Sequence, residues 1–362
     1  MEWTELVGLP VPWVAAGNPR SADAEGFPFV VSTRFQAFRN FADAPFPISA
    51  SPQALSALAE KALDRFAREG REGAWRLAAC DPAALRIFRE RHLLPEPPLP
   101  LPGKRGCKYL VLCAEPGTWM WLNEGEHVTR LQVFPGRIAE KDFPDVYRPP
   151  GEDGESHAPW AWSPRHGYLA SDPSRIGPGF SVEMVAHLPA LTLGRKLPQV
   201  HNAMAAQSVG FIPVTQVAAG ETDSALFRLV SRGELGRNPR EAYEDFLAVV
   251  QPLWKWEGET QRRYLEKQPK RLEDRVLQSW RQLSDSQALA YPEMLALGSF
   301  ARWGAYLGLL GPRIPGILED LRITTRSGHL QVSAARILSK EEEDIRRANV
   351  VRLSLETQGA GT

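Results

Sequence analysis

The stretch KYLVLCAEPGTWMWLNEGEHVTRLQVFPG, residues 108–136, decides the fold class. It contains three segments, 108–115, 118–124 and 127–134, that are rich in aliphatic, β-branched and aromatic residues. Such segments favour β-strands, and the Pro-Gly pair between the first two is typical of a tight turn. The stretch therefore predicts antiparallel strands, the last of which ends at Phe-Pro-Gly.

Amphipathic helices are predicted on both sides of these strands. Residues 51–70 repeat apolar side chains at helical spacing between a serine and a glycine. Residues 81–94 begin with an Asp-Pro pair, which is typical of a capped first turn. Further helices are predicted at 197–209 and 238–254, with a strand and a turn within 210–231. The predicted class is α+β, an antiparallel sheet flanked by helices.

From about residue 256 the pattern becomes helical and strongly charged, without an evident strand. This change of period predicts a boundary near residue 255. We therefore divide the chain into a mixed domain at 1–255, a helical domain at 256–357 and a tail at 358–362. The proline-rich segment 93–106 predicts an extended connector inside the first domain.

Composition excludes several function classes. The 362 residues carry 43 Lys+Arg against 43 Asp+Glu, so no long-range field attracts nucleic acid or an anionic membrane. The three cysteines show no CxxC spacing, which argues against a disulfide framework and against a zinc site. The N-terminal residues lack the pattern of a signal peptide, and no apolar stretch reaches the roughly 18 residues of a membrane span. We therefore expect a cytoplasmic protein that binds no structural metal, no nucleic acid and no membrane.

Several stretches, taken in order, resemble the ATP:guanido phosphotransferases. VVSTRFQAFRNF (30–41) is similar to the family's Ser-Ser-Arg-x-Arg-x-x-Arg-Asn start, and LNEGEHV (122–128) to its Asn-Glu-Glu-Asp-His strand. GYLASDPSRIGPGF (167–180), followed by HLPAL, resembles its glycine-rich loop. LEDRVLQSW (272–280) and EEDIRRA (342–348) resemble helices that the bacterial protein arginine kinases carry and phosphagen kinases lack.

This resemblance implies a fold, a reaction and partners. The guanido kinase fold is an antiparallel sheet with flanking helices across which the nucleotide lies, here followed by an all-helical domain for dimerisation and ligand binding. The reaction transfers a phosphoryl group from ATP, with Mg²⁺, to a guanidinium. The implied partners are a protein substrate or a phosphoarginine-bearing protein, a Clp-type unfoldase and a second copy of the chain in a homodimer.

Such a reaction needs fixed cations for the triphosphate and carboxylates for the guanidinium. By the resemblance, the family uses about five arginines and two glutamates for these tasks. Arg34 holds the first arginine position, and uncharged residues occupy the other four. These are Gln36, Thr129 and Ser181, together with Gln216 when Gly220-Glu221 is aligned, with one inserted residue, to the family's Gly-Glu loop. Because each lost contact is worth roughly 1.5–3 kcal/mol, nucleotide binding is predicted to weaken by about four orders of magnitude.

Gly125 stands at the position of the family's second glutamate, which clamps the guanidinium and acts as the base. Since alternate residues of a strand face opposite sides, neither Glu124 nor Glu126 is expected to project where residue 125 would. By the resemblance, Glu221 is the retained clamp carboxylate, and Glu124 is the second catalytic candidate. Asp172 replaces a loop cysteine and would repel a triphosphate.

The candidate cofactor-binding residues are Arg34, Arg39, His127, Arg130 and Arg175. Arg130, Arg175 or Arg228 would compensate for lost cations, and a β-bulge would move Arg130 into the place of Thr129. A structural interpretation stays open for each residue. The arginines are then solvated or salt-bridged, and the histidine is packed and hydrogen-bonded.

Asp344 and Arg347 form the candidate ligand site of the helical domain. They match the acid and one arginine of the motif with which, by the resemblance, protein arginine kinases read phosphoarginine. Three residues apart on a helix, they share one face and would hold the guanidinium and its phosphate. Glu343 replaces the first arginine of the motif, and the alternative interpretation is an exposed i, i+3 ion pair.

Together these features favour a catalytically impaired relative of the protein arginine kinases, a pseudokinase without a cofactor and with a binding or adaptor role. The alternative is an active guanidino or protein arginine kinase that uses ATP and Mg²⁺ in a rebuilt phosphate site. A third hypothesis is a metabolite-binding protein that uses the old cleft for a different ligand.

Overall fold

The part of the chain that the structure, a computed structural model, describes contains an eight-stranded antiparallel sheet, a small two-stranded sheet and ten α-helices. That part is residues 1–11, 14, 29–67, 71–95, 108–139, 143–144, 147, 160–214, 224–231 and 237–359. The strands are β1 (Val30–Arg39), β2 (Arg71–Arg76), β3 (Tyr109–Cys113), β4 (Thr118–Glu124), β5 (Glu126–Pro135), β6 (Trp162–Ser163), β7 (Gly167–Tyr168), β8 (Phe180–His187), β9 (Gly210–Pro213) and β10 (Leu226–Val230). The helices are α1 (Pro52–Ala67), α2 (Pro82–Glu90), α3 (Pro189–Leu193), α4 (Leu197–Ala206), α5 (Pro239–Lys267), α6 (Pro269–Asp285), α7 (Tyr291–Tyr306), α8 (Ile314–Thr324), α9 (Ser327–Ala334) and α10 (Lys340–Gly359).

Eight of the strands form one sheet in the order β2-β3-β4-β5-β1-β8-β10-β9. All neighbouring pairs in it are antiparallel. The predicted α+β class is therefore confirmed, and β3, β4 and β5 are the three strands predicted within 108–136. The predicted cap of α2 is also present, because the Asp81 side chain accepts a hydrogen bond from Ala84 N at 2.7 Å.

Both faces of the sheet are covered by apolar side chains. One face, here called the α5 face, packs residues such as Phe35 and Met184 against Tyr243 and Trp254 of α5. The other, the α2 face, packs Trp119, Trp121, Leu131 and Val133 against α2 and against a 3₁₀ helix at Trp3–Gly8. Side chains of one strand alternate between the two faces, so the register fixes which of them share a cleft.

Beyond α5 the described residues are helices and the loops that join them, as the charged helical pattern predicts. Helices α6, α7, α8 and α10 share a core that includes Leu283, Met294, Leu318 and Val351. The boundary expected near residue 255 falls within α5, which continues to Lys267, and it stays a prediction. No helix in the described ranges combines the length and the apolar character needed to cross a membrane.

Candidate functional site

Arg34 lies on the α2 face and is already engaged by a carboxylate. The register places it opposite Glu183 of β8, and its Nη2 donates to Glu183 Oε2 at 2.8 Å. Arg228 of β10 brings its Nη1 to 3.8 Å from the same oxygen. Glu183 is only 8% exposed, so the carboxylate is largely removed from water. The arginine predicted to bind phosphate therefore neutralises an anion of the chain itself.

The space beside this ion pair is small. The described residues leave a cavity of about 40 Å³, which Arg34, Glu183 and Arg228 line together with His92 and Arg322. His92 follows α2, and Arg322 of α8 brings its Nη1 to 3.1 Å from His92 Nε2. Clefts that bury a ligand of nucleotide size hold roughly 300–1,000 Å³. The cavity that the described residues form here is therefore much smaller than such a cleft.

The uncharged replacements lie around the same face. Gln36 of β1 pairs with Ser181 of β8, so two of the lost arginine positions are direct neighbours. Thr129 of β5 is 1% exposed, and its hydroxyl has no hydrogen-bond partner within the described ranges. Gln216 lies outside the described residues. The three described positions add no positive charge to the cleft.

The β-bulge that would move Arg130 into the place of Thr129 is not found in the described strands. Strand β5 pairs with β1 without a register shift between Arg39 and Ser32, so the expected β-bulge is absent from the described strand. Arg130 is opposite Ala37 and therefore lies on the α5 face, whereas Arg34 lies on the α2 face. Its Nη2 donates to Glu115 Oε2 at 2.7 Å. The thickness of the sheet separates the two arginines.

Arg39 holds the backbone of the glycine-rich loop, which favours its structural interpretation. Its Nη1 donates to the carbonyl oxygens of Phe38 and Gly179, each at 2.8 Å. Its guanidinium carbon lies 3.5 Å from the centroid of the Tyr168 ring. Burial lowers the pKa of Arg39 from its ordinary value. These contacts use the side chain inside the fold rather than in a nucleotide site.

His127 is likewise a packed, hydrogen-bonded residue. It is 1% exposed, and its Nδ1 accepts a hydrogen bond from Phe41 N at 3.1 Å. Its Nε2 lies 3.1 Å from Pro45 O, so the geometry assigns the ring proton to Nε2. Burial lowers the pKa of His127 to about 4, which keeps the ring neutral at pH 7. A neutral ring with both nitrogens engaged by backbone does not attract phosphate.

Gly125 lies at the turn of the β4–β5 hairpin and not within a strand, which corrects the prediction from alternation. Glu124 and Glu126 pair across the turn. Asn123 and Gly125 have φ of 58° and 82°, a left-handed conformation that asparagine and glycine adopt readily. A Cβ added at Gly125 would lie 3.0 Å from Arg175 Nη1. The space beside the missing clamp residue is therefore filled by an arginine.

Glu126 organises this end of the cleft. It is fully buried, and its Oε2 accepts hydrogen bonds from Asn40 Nδ2 at 2.6 Å and Ser171 N at 2.8 Å. Its Oε1 accepts a hydrogen bond from Asp172 N at 3.3 Å. Arg175 Nη1 lies 3.5 Å from the same Oε1. Glu126 thus ties the glycine-rich loop to the hairpin.

The catalytic candidates are not brought together among the described residues. Glu124 is engaged by Lys108, whose Nζ lies 2.6 Å from its Oε2. Glu221 lies outside the described residues. Arg175 does share the α2 face with Arg34, because its guanidinium carbon is 4.4 Å from the centroid of Phe38, four residues further along β1. That spacing corresponds to about 13 Å, so the two arginines occupy opposite ends of the face.

Asp344 and Arg347 line a second cavity, of about 820 Å³, among α7, α9 and α10. Arg347 is 3% exposed, and its Nη1 donates to Leu289 O at 2.8 Å and to Asp344 Oδ1 at 2.5 Å. Its Nε donates to Thr325 O at 3.1 Å. Because these donors are used inside the fold, Arg347 mainly joins α10 to the residues that flank α7 and α8.

This cavity carries charges of both signs beside an aromatic ring. Its charged lining residues are Glu90, Glu293, Arg326, Lys340, Glu343, Asp344 and Arg347. Glu343 Oε1 accepts a hydrogen bond from Ser327 Oγ at 2.5 Å and one from Gln331 Nε2 at 2.8 Å. Arg326 lies 5.6 Å from the centroid of the Tyr291 ring. Such a lining suits a ligand that has both a cationic and an anionic group.

Sequence reasoning missed Glu183 and Arg322, and it considered Glu126 but gave it no role. The position of Glu183 beside Arg34 follows only from the pairing of β1 with β8. The position of Arg322 in the same cavity follows only from the packing of α8 against the sheet. Glu126 did have a local signal. The sequence Asn-Glu-Gly-Glu at 123–126 contains the residue types that favour left-handed turns, which indicates a hairpin tip.

Comparison with known proteins shows what the chain resembles. A family model described as "ATP:guanido phosphotransferase, C-terminal catalytic domain" matches residues 55–260, and one described as "Protein-arginine kinase McsB C-terminal domain" matches residues 269–361. A relative named "Protein-arginine kinase" from Halalkalibacterium halodurans is 28% identical over 357 residues, covering 96% of each chain. One of the same name from Bacillus subtilis is 28% identical and covers 96% of this chain and 94% of its own.

Solved structures support the fold. A lombricine kinase crystal structure superposes with a TM-score of 0.52 at 17% identity, covering 70% of this chain and 69% of that one. The duplicated taurocyamine kinase from Schistosoma mansoni, with bound transition state analog components, gives a TM-score of 0.51 at 16% identity. It covers 67% of this chain and 36% of that one. At these identities the likeness concerns the arrangement of the sheet and its helices.

Proposed function

Because the chain belongs to the ATP:guanido phosphotransferase family, we propose that it is a protein-arginine-kinase-like member whose cleft no longer transfers phosphate and whose role is binding. One observation carries the proposal: Arg34 is ion-paired with Glu183 at 2.8 Å beside a cavity of about 40 Å³. A cytoplasmic location is part of this proposal.

A carboxylate at this place opposes nucleotide binding because it neutralises the family arginine that this chain retains. To bind a phosphate, Arg34 would have to give up its ion pair with a carboxylate that is largely removed from water. Together with the uncharged residues at Gln36, Thr129 and Ser181, this competition predicts no detectable binding of ATP at millimolar concentration.

The binding role is assigned to the cavity of about 820 Å³ among α7, α9 and α10. Its mixed charges and the Tyr291 ring support a protein ligand that presents a phosphorylated arginine, or a partner protein that presents a similar group. A homodimer and a Clp-type unfoldase partner belong to this proposal on the family resemblance. Asp344, whose side chain is 22% exposed against 3% for that of Arg347, is the side chain expected to contact the guanidinium.

The decisive test is a thermal-shift titration with ATP and Mg²⁺, followed by incubation with γ-labelled ATP and an arginine-rich acceptor protein. We expect no change in Tm and no acid-labile label, since stabilisation requires a ligand concentration near Kd. The Bacillus subtilis relative named protein-arginine kinase is the parallel sample. A saturating rise in Tm that Arg34→Ala abolishes, or acid-labile label on the acceptor, would show that the cleft is active.

A second titration tests the binding role. Phosphoarginine is added to the wild-type protein and to Asp344→Asn, which keeps the side-chain volume but removes the charge. We expect binding to the wild type that weakens by about tenfold or more in the variant. Equal affinity for both proteins, or no binding to either, would exclude the cavity as the reader site.

The alternative function, an active guanidino or protein arginine kinase, is favoured by one observation. Three arginines, Arg34, Arg228 and Arg322, line the cleft together, and such a group is suited to holding phosphate. In that case Arg228→Ala would abolish label transfer, whereas Arg165→Ala, an exposed position in the turn between β6 and β7, would leave it unchanged.

A further inference from the structure

A third cavity lies beside the middle of α5. Its volume is about 840 Å³, and the described residues that line it are Phe29 just before β1, Tyr306 at the end of α7, and residues of α5 between Ala248 and Arg262. None of them lines the cleft around Arg34 or the cavity among α7, α9 and α10. The volume is within the range of roughly 300–1,000 Å³ that is typical of small-molecule sites.

The charged groups of this cavity are all positive. Among the described lining residues only Lys255 and Arg262 are charged, and no carboxylate is present. The two residues are seven apart on α5, so they lie on one face, about 10 Å apart along the helix axis. Both are exposed, and neither makes a hydrogen bond or an ion pair with a described residue. Both cations are therefore available to an anion from solution.

The two cations do not pair with the acidic residues nearest to them in the helix. Glu259 and Glu266 each follow one of the cations by four residues, a spacing at which helical ion pairs form. Such a pair, in the same order, does form earlier in α5 between Arg240 Nε and Glu244 Oε1, at 3.0 Å. The structure describes all of α5, and within this helix neither Glu259 nor Glu266 is paired with a cation. The two cations line the cavity instead.

Gly258 leaves the space between the two cations open. It lies three residues after Lys255 and four before Arg262, on the same face of α5. A Cβ added at Gly258 would have no heavy atom within 4 Å, so no neighbouring group requires a glycine there. Glycine is also a poor residue for the interior of a helix. The missing side chain leaves room for a ligand to approach the helix backbone.

Aromatic rings form part of the wall of the cavity. Phe29, Trp254 and Tyr306 line it, and the first two are only 4% and 1% exposed, so they belong to the packed interior. The Tyr306 ring is held edge-on against Phe29, with the ring centroids 6.4 Å apart. Gln251 and Gln261 add uncharged amides. A flat apolar group that covers such a wall is removed from water, which favours its binding.

We propose that this cavity is a binding site for a small organic anion with a flat apolar ring. The anionic group lies above Gly258, where the long side chains of Lys255 and Arg262 reach it from two sides, and the ring covers the aromatic wall. The inference goes beyond the proposed function, because the site uses no residue of the impaired cleft or of the cavity assigned to phosphoarginine.

The test is a calorimetric titration of the full chain, without nucleotide, with 1-naphthyl phosphate and with 1-naphthoate. These probes join one flat ring to a phosphate or to a carboxylate, so the pair also shows which anionic group the site prefers. 1-Naphthol, a ring without a charge, and inorganic phosphate, a charge without a ring, are the control probes. Gly258→Leu fills the cavity, and Lys255→Gln and Arg262→Gln each remove one cation. Arg263→Gln, at an exposed position of α5 that does not line the cavity, is the matched control.

We expect at least one of the two aromatic anions to bind the wild type and Arg263→Gln with a Kd below about 1 mM. Lys255→Gln and Arg262→Gln should each weaken this binding by about tenfold, because each removes one charge-assisted hydrogen bond. Gly258→Leu should abolish the binding, while its Tm stays equal to or above that of the wild type because leucine is the better helix former. The control probes should bind at least about tenfold more weakly than the aromatic anion.

The proposal is overturned if neither aromatic anion binds the wild type, if Gly258→Leu binds as tightly as the wild type, or if a control probe binds as tightly as the aromatic anions. An equal loss of affinity in Arg263→Gln and Arg262→Gln would also refute it, because the positive charge of α5 as a whole would then explain the binding. Should Gly258→Leu fold poorly, Lys255→Gln and Arg262→Gln decide the question, since both change exposed side chains.

Discussion

Replacing Glu257 by glutamine should remove a loss of stability that the wild-type protein suffers as pH rises. Glu257 of α5 is fully buried, and its two oxygens accept hydrogen bonds from Ala190 N at 2.7 Å and Leu191 N at 2.9 Å, at the start of α3. Burial raises the pKa of Glu257 from 4.5 to about 7, although these two backbone donors act in the opposite direction.

The sign and size of this change in unfolding free energy follow from the linkage between protonation and folding. A carboxyl whose folded pKa is raised contributes its stability fully below the unfolded value of 4.5, and that stability is lost as pH rises through about 7. Because one pKa unit corresponds to about 1.4 kcal/mol, the rise is worth about 3 kcal/mol between pH 4 and pH 8. Glutamine is neutral throughout. Its amide leaves one backbone N–H without an acceptor, at a pH-independent cost of about 1–3 kcal/mol.

Urea denaturation followed by tryptophan fluorescence, at unit steps from pH 4 to pH 8, measures the effect. The unfolding free energy of Glu257→Gln minus that of the wild type should shift by about 3 kcal/mol in favour of the variant over this range. Glu266→Gln, at an exposed position on the same helix, controls for the loss of one negative charge. Parallel pH curves for Glu257→Gln and the wild type would refute the assignment.

Three further substitutions test the cleft and the helices. Glu183→Gln should lower the unfolding free energy by about 1–3 kcal/mol because it leaves Arg34 without its ion pair. ATP should still not shift the Tm of this variant. An unchanged urea midpoint would contradict the expected loss of stability. Gly125→Ala should cost about 1–2 kcal/mol in urea denaturation, since residue 125 has φ of 82° and the new methyl group meets Arg175; full stability would argue against the left-handed turn. Arg347→Ala should cost about 3 kcal/mol or more, because it removes charged hydrogen bonds to two backbone carbonyls, and a stable, folded variant in thermal denaturation would refute this structural role.

Local patterns predicted the elements well. The segments that became β3, β4 and β5 have strand composition throughout, and Asp81 and Pro82 mark the start of α2 because capping acts within one turn. The hairpin tip was misjudged for an equally local reason. Alternation assumes extended backbone, and the left-handed Asn123 and Gly125 interrupt it, so Glu126 turns into the buried network of the glycine-rich loop.

Which side chains line the cleft depends on the pairing of strands that are far apart in the sequence. Counting along β5 alone places residues 129 and 130 on opposite faces, but only the pairing with β1 shows which of the two shares a face with Arg34. Glu183 is 149 positions from Arg34 in the chain, so no local signal announced their ion pair. The sequence itself shows that Arg347 lies three residues from Asp344. It did not predict that Arg347 is buried, because the burial depends on how α7 and α8 pack on α10.

Helix α5 connects the sheet to the helices that follow it, because it packs on the sheet and leads into α6. Its 29 residues span about 44 Å, and only Gln268 separates it from α6. A displacement of α6 would therefore be transmitted to the sheet through α5. Pro252 is the position at which α5 would bend most easily, because proline removes one backbone hydrogen bond from the helix. The cavity of about 840 Å³ lies beside Pro252, so a molecule bound there would contact α5 where its hydrogen-bond ladder is interrupted.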